Sequence, residues 1–258
     1  MELREWALRI LEANTLEGKL FCPQEWTDHQ PGSAVRITEP TRPPGMELRK
    51  RPKKEKLPAF HELGDPIKRA ICLHRFAGHE LLAIELMAFA ILAFPEAPPL
   101  FRKGIVVTLK DEQEHLSLYK KRLNELGVAF GDFPQYRHFW VHTKFMHDPI
   151  HYVSTVNLTL EMANLDFAPH YGKIFEQFGD ANSSALMAKI LEDEIRHVNF
   201  GWRWLQRFKE EHLNAWEAWT LSQSEFLNPK RARGFEFNSS ARLEAGIAPD
   251  WLELLKNY

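Results

Sequence analysis

Two short stretches repeat a pattern of residue types able to hold a metal ion. Asp111-Glu112-Gln113-Glu114-His115 and Asp193-Glu194-Ile195-Arg196-His197 both read D-E-x-x-H. On an α-helix, residues three apart share a face and sit roughly 4.5 Å apart along the axis, so each Glu–His pair can point at one ion. One such motif is weak evidence. With 26 Glu and 12 His in 258 residues, chance supplies about one E-x-x-H. The spacing to earlier acids is more specific: Glu80 lies 32 residues before Glu112, and Glu161 lies 33 before Glu194. Each earlier acid also has another five residues on, Glu85 and Asp166.

The chain therefore reads as two copies of a helix pair. Each copy contributes one Glu from its first helix and a Glu-x-x-His from its second. Four carboxylates and two imidazoles are the ligand inventory of ferritin-like dimetal carboxylate bundles. Hard oxygen donors with imidazole suit iron or manganese, whereas structural zinc prefers thiolates and four ligands. The expected set is Glu80, Glu112, His115, Glu161, Glu194 and His197, with Glu112 and Glu194 bridging two ions. Four carboxylates balance two divalent charges. Buried without metal, they would repel one another.

Several residues are candidates to stand behind these ligands. Asp111 and Asp193 each precede a motif Glu and could orient a histidine or remain solvated. Tyr119, one turn past His115, could donate to a ligand or pack in the core. Glu85 and Asp166 hold matching places, and Glu85 competes with Glu80 as the ligand from the first helix. The two lie about 140° apart on a helix and cannot face one point. Gly201 stands where Tyr119 stands in the first copy, which would leave room beside one metal.

The elements that carry these residues can be read locally. Residues 2–13 place Leu3, Trp6, Ala7 and Ile10 at helical spacing. From 21 to 66 the periodicity stops, and eight of the 16 prolines fall there, so an extended arm is expected. Residues 49–56 carry six basic side chains, either a phosphate- or RNA-binding strip or a solvated linker. Asp65-Pro66 caps a long helix ending at Pro95, and Pro98-Pro99 open a second ending near Gly127. A connection follows, with a short helix at 134–146 and His138, His142, His147 and His151 at four-residue spacing or close to it. Asp148-Pro149 starts a third helix that carries Glu161 and Asp166, and Pro169 should kink it about one turn after Asp166. Asp180 caps the fourth, running to about His212. Beyond it lie a tryptophan-rich helix over 214–226 and a weakly helical tail.

The fold predicted is all-α: a ferritin-like four-helix bundle with an N-terminal helix, a proline-rich extended arm and short C-terminal helices. The division expected is 1–65, helix and arm packed on the bundle, and 66–258, the bundle with its C-terminal extension. A content of 44% hydrophobic residues supports a substantial core. Net charge −2 makes no general case for nucleic-acid or membrane binding. Cys22 and Cys72 match no disulfide framework or zinc motif. The N-terminus lacks an apolar signal core, and the apolar run at 81–94, broken by Glu85, is short for a bilayer. A cytoplasmic location without membrane attachment is the expectation.

Beyond the metal motif, the chain resembles a mainly bacterial family catalogued as domain of unknown function 455, within the ferritin-like superfamily. The likeness rests on His79-Glu80 through Glu85-Leu86, Gly131-Asp132-Phe133-Pro134, Glu161 through Pro169, Asp193 through Val198 with Gly201-Trp-Arg-Trp204, and Phe237-Asn238-Ser-Ser-Ala-Arg242. It covers roughly residues 40–247 and implies a ferritin-like bundle with a dimetal site. Two departures stand out. The family tends to place a histidine two residues before the first-helix Glu, where this chain has Gly78, and its small residue plus acid leading into the first motif here reads Lys110-Asp111.

The reading favoured is an oxidoreductase with two iron ions, or manganese, that activates dioxygen or peroxide. Relatives by fold include hydroxylases acting on modified tRNA and on quinones, so a small-molecule or tRNA-linked substrate, an electron donor and a homodimer are all in view. The alternatives are a ferroxidase or iron-handling protein, and a metal-free helical binding module.

Overall fold

The computed structural model describes residues 1–52 and 55–258. The chain is mostly helical and divides into two compact units, Met1–Thr143 and Lys144–Tyr258. Lys53 and Lys54 of the basic stretch lie outside the described residues.

The first unit is built on a hairpin of two long helices, α3 and α4. α1 (Leu3–Glu12) buries Leu3, Trp6, Ala7, Ile10 and Leu11 as one stripe and packs on α3. A short α2 (Leu16–Lys19) follows, capped by the Thr15 side chain. α3 (Pro66–Ala93) starts as expected: the Asp65 carboxylate accepts from the Ile67 N–H at 2.8 Å, with proline at the first helical position. It is long and apolar enough to cross a membrane, yet most of that stretch is buried within the fold. α4 (Pro99–Glu125) closes at Gly127, whose φ of +76° is costly for a residue with a Cβ.

The proline-rich arm is extended and tied down by hydrogen bonds. Val35 N–H donates to the Leu92 carbonyl at 2.9 Å, and Thr41 N–H to the Leu11 carbonyl at 2.8 Å. Arg102 gathers the C-terminal end of α3, donating to the carbonyls of Ile91 and Phe94 at 2.7 and 2.9 Å, while Asp28 of the arm takes the rest of its guanidinium. β1 (Leu48–Arg49) pairs in parallel with β2 (Gln135–Tyr136) after α4. Only Trp140–Phe145 of the expected 134–146 helix is helical, as a 3₁₀ segment.

In the second unit the third helix differs from expectation. It is not one kinked helix but α5 (Pro149–Thr155), a π-helical segment Val156–Glu161, and α6 (Asn164–Gln177). The break falls before Pro169, not after it. Met162 N–H reaches back five residues to the Asn157 carbonyl at 3.1 Å, and the Thr159 hydroxyl donates to the Ser154 carbonyl at 2.6 Å. Pro169 lies inside α6, and the Leu165 carbonyl that its missing N–H would have bonded accepts from the Asn238 side chain at 3.2 Å.

α7 (Ala181–Phe208) packs along this broken helix. α8 (Ala215–Leu221) and α10 (Pro249–Asn257) form where helices were expected, and α9 (Ser239–Glu244) adds a turn in the stretch read as irregular. Trp202, Trp216, Trp219 and Trp251 interlock, with neighbouring ring centroids 4.8 to 5.7 Å apart.

Candidate metal centre

In the first unit α3 supplies Glu80, and α4 supplies Glu112 and His115 from one face. All three are buried, and each offers a ligand atom within 4.8 Å of the others. His115 Nδ1 lies 3.3 Å from Glu112 Oε2 and 3.9 Å from Glu80 Oε2. Two carboxylates this close and out of water are costly unless a cation lies among them. The donor set of two hard oxygens and one imidazole fits a divalent iron or manganese ion.

Glu85 has a different task. Its carboxylate accepts from Arg42 at both oxygens, Nε–Oε1 at 3.0 Å and Nη2–Oε2 at 2.5 Å, and Lys19 Nζ lies 2.9 Å from Oε1. Lys19 and Glu85 are both 0% exposed. Burial pushes the Lys19 ammonium below its ordinary pKa, and the Glu85 charge draws it back. Of the two α3 acids, Glu80 is thus the one beside His115. Gln113, between the motif acids, binds the arm, its amide donating to the carbonyls of Lys19 and Phe21 at 2.9 and 3.1 Å.

In the second unit Glu161 closes the π segment, while Glu194 and His197 come from one face of α7. All are buried. A ligand atom of Glu161 lies within 4.8 Å of one on His197, and His197 Nδ1 is 3.6 Å from Glu194 Oε2. Two asparagines serve the acids. Asn157 Nδ2 donates to Glu161 Oε2 at 2.6 Å, and Asn164 Nδ2 to Glu194 Oε1 at 2.7 Å. Sequence reasoning missed both. The available signal was the pairing of the repeats, which sets them against Phe76 and Ala83.

The other expected supporting residues divide. Asp166 is committed to the tail: Arg242 donates to its two oxygens at 2.6 and 2.9 Å, and the backbone N–H groups of Gly234 and Asn238 donate at 2.8 and 2.7 Å. Asp193 is buried and takes Lys189 at 2.6 Å together with Arg196, both from its own helix. Asp111 is half-buried. Tyr119 packs edge-on against Phe76, ring centroids 6.3 Å apart. The space at Gly201 is already occupied: a Cβ there would meet the Asn157 Cβ at 2.3 Å. The glycine exists because the π segment presses on α7.

Other histidines do separate work. His138 Nε2 lies 3.1 Å from His79 Nε2, with Phe139 packed against both rings. His74 Nε2 accepts from the Gly131 and Phe133 N–H groups at 2.9 and 3.4 Å, and burial lowers its pKa to about 4.

A family model described as a protein of unknown function (DUF455) matches residues 6–253, so the chain belongs to that family. No curated protein and no solved structure matches.

Proposed function

We propose that this member of the DUF455 family is a ferritin-like dimetal carboxylate oxidoreductase with two iron ions, manganese being the alternative. The observation that carries the reading is the duplicated buried ligand set: Glu80, Glu112 and His115 in one unit, Glu161, Glu194 and His197 in the other. Each set pairs two carboxylates with one imidazole at matching positions of the repeat.

Bound iron or manganese would supply reduction of dioxygen or peroxide and oxidation of a small-molecule or tRNA-linked substrate, electrons coming from a donor. The chain's own contribution follows from its side chains. Four carboxylates balance the charge of two divalent ions, so each ion can be held without a net buried charge. The histidines bind as neutral imidazoles, and six protein ligands leave coordination positions open. The apolar lengths of α3 around Glu80 keep bulk water from the first set and strengthen every charge interaction there. The Asn157 and Asn164 amides hold the carboxylates of the second set in place.

The test is metal content after purification without chelators. Two iron or manganese ions per chain are expected, together with magnetic coupling between them in the two-iron form. Loss of both ions in a His115→Ala/His197→Ala double mutant would agree. A protein that takes up no metal even on anaerobic ferrous loading overturns the proposal. Ferrous oxidation that no organic substrate diverts would assign the site to iron handling.

A further inference from the structure

The basic stretch at 49–56 is fastened to the first unit at both of its ends. At one end β1 sets Leu48 and Arg49 against Gln135 and Tyr136 of β2, and the Arg137 N–H donates to the Arg49 carbonyl at 3.1 Å. At the other stands Glu55, the one acid of the stretch. Its carboxylate accepts from Arg75 Nη2 at 2.5 Å and from the Tyr136 hydroxyl. The Arg75 guanidinium lies 4.3 Å from the centre of the Tyr136 ring, and both residues are buried. Arg75 is five residues before Glu80 on α3, about 7.5 Å along the helix axis.

The latch takes up the acid of the stretch and leaves its cations outside. Arg49, Lys50, Arg51 and Lys56 are exposed, and so is Arg137, bonded through its backbone to Arg49. Glu47 lies 3.7 Å from Arg49 with both side chains more than half exposed, an ion pair that water and salt reduce to little. A row of cations suits a phosphodiester backbone, because each phosphate it neutralises releases a condensed counterion. A row already held in place also gives up less freedom on binding than a loose basic tail does. A solvated linker has no use for such a latch. An anionic bilayer calls for an apolar anchor beside the charges, and among the described residues no large apolar side chain at 46–57 or 130–138 is exposed.

We infer that Arg49, Lys50, Arg51, Lys56 and Arg137 form a docking surface for the phosphate backbone of RNA, kept in shape by the hold of Arg75 and Tyr136 on Glu55. This deepens the proposed function, on which the choice of RNA over DNA rests. Of the two substrate classes in that reading, the strip selects the RNA-linked one.

The experiment is fluorescence anisotropy of end-labelled, unfractionated tRNA titrated with the full chain, between about 50 and 200 mM salt. Binding should weaken steeply as salt rises. Arg49→Ala/Arg51→Ala, at exposed positions, should weaken it further and lower the slope of log affinity against log salt by about 2. Glu55→Ala makes the chain more positive, so charge alone would tighten binding. Loss of the latch should instead weaken it by about 2- to 10-fold. Tyr136→Phe keeps every charge, should weaken binding with the slope unchanged, and serves alone if Glu55→Ala disturbs folding. Absence of binding, a slope indifferent to the arginine pair, or latch variants that bind as tightly as the wild type overturns the inference. Equal affinity for duplex DNA, or for vesicles containing phosphatidylserine, overturns it too. Metal content of the same samples separates the two readings. Metal present without RNA binding sinks this inference alone, and RNA binding by a chain that takes up no metal sinks the oxidoreductase reading while the docking surface stands.

Discussion

Arg42 and Glu85 form a buried bidentate ion pair, at 3.0 and 2.5 Å, that fastens the N-terminal arm to the middle of α3. The second copy repeats the device with other residues. Asp166, five residues after Glu161 as Glu85 is after Glu80, is gripped at both oxygens by Arg242 of the C-terminal tail. The acid repeated five residues on is therefore a clamp for an appended segment. In each unit one arginine thus holds one helix, Arg42 fastening onto α3 and Arg242 onto α6.

Breaking either clamp should cost stability without removing metal. Arg42→Ala leaves Glu85 with Lys19 alone, and Asp166→Asn leaves the Arg242 guanidinium buried without its counter-charge. Each should lower the unfolding free energy by about 3 kcal/mol, the usual cost of breaking a buried pair on one side. Denaturant unfolding measures the loss, and metal analysis of the same samples should return two ions per chain. Metal loss in Arg42→Ala would tie Glu85 to the ion after all.

Chelation should destabilise the wild type and have much less effect once a ligand carboxylate is neutralised. Ligand binding to the folded state alone adds about 2.7 kcal/mol at a hundredfold excess over Kd. Removing the ions should therefore lower the melting temperature by several degrees. Glu80→Gln and Glu161→Gln relieve the repulsion in the metal-free protein, so in chelator each should melt above the wild type. Equal melting of all three in chelator would mean the carboxylates are stable without a cation.

Gly201→Ala should act through Asn157. The added Cβ would lie 2.3 Å from the Asn157 Cβ, so the π segment must shift, at about 1–3 kcal/mol. Asn157→Ala does not shorten the side chain at Cβ, but it removes the amide that locks the segment, so the double mutant should recover part of the loss. A double-mutant cycle on unfolding free energy should give a coupling of at least about 0.5 kcal/mol. Additive losses would show that the two residues do not act on each other.

Acid should weaken the first unit through His74. Its ring is held neutral as an acceptor for two backbone N–H groups, with a pKa of about 4 in the fold against 6.5 unfolded. Below pH 6.5 the unfolded chain binds a proton that the folded one does not. Stability contributed here is thus complete above pH 6.5 and is lost as pH falls toward 4. The shift corresponds to about 2 kcal/mol at pH 5. His74→Gln keeps an acceptor without a titrating group, so urea unfolding at pH 7.5 and pH 5 should show a smaller pH-dependent loss than the wild type. An unchanged loss would assign the acid sensitivity elsewhere.

What the sequence determined by itself is what depends on neighbours a few residues apart. The Glu–His faces of the D-E-x-x-H motifs, the caps at Asp65 and Asp180, the proline starts of α3, α4 and α5 and the stop at Gly127 all follow from helical geometry and local hydrogen bonds. The repeat spacing likewise brought forward the six ligand candidates, with Glu85 left as a rival to Glu80. The structure decided what depends on the return of distant chain. Glu85 could not be told from a ligand, because Lys19 and Arg42, 66 and 43 residues earlier in sequence, reach it only through the path of the arm. Asp166 was open for the same reason, its partner Arg242 lying 76 residues further on. The π segment was invisible because no local propensity specifies it: Gly201 lets α7 come close, and the displaced turn then carries Asn157 over Gly201 and onto Glu161. Such partners are selected by burial, where a charge or amide without a counterpart costs more than any local preference can offset.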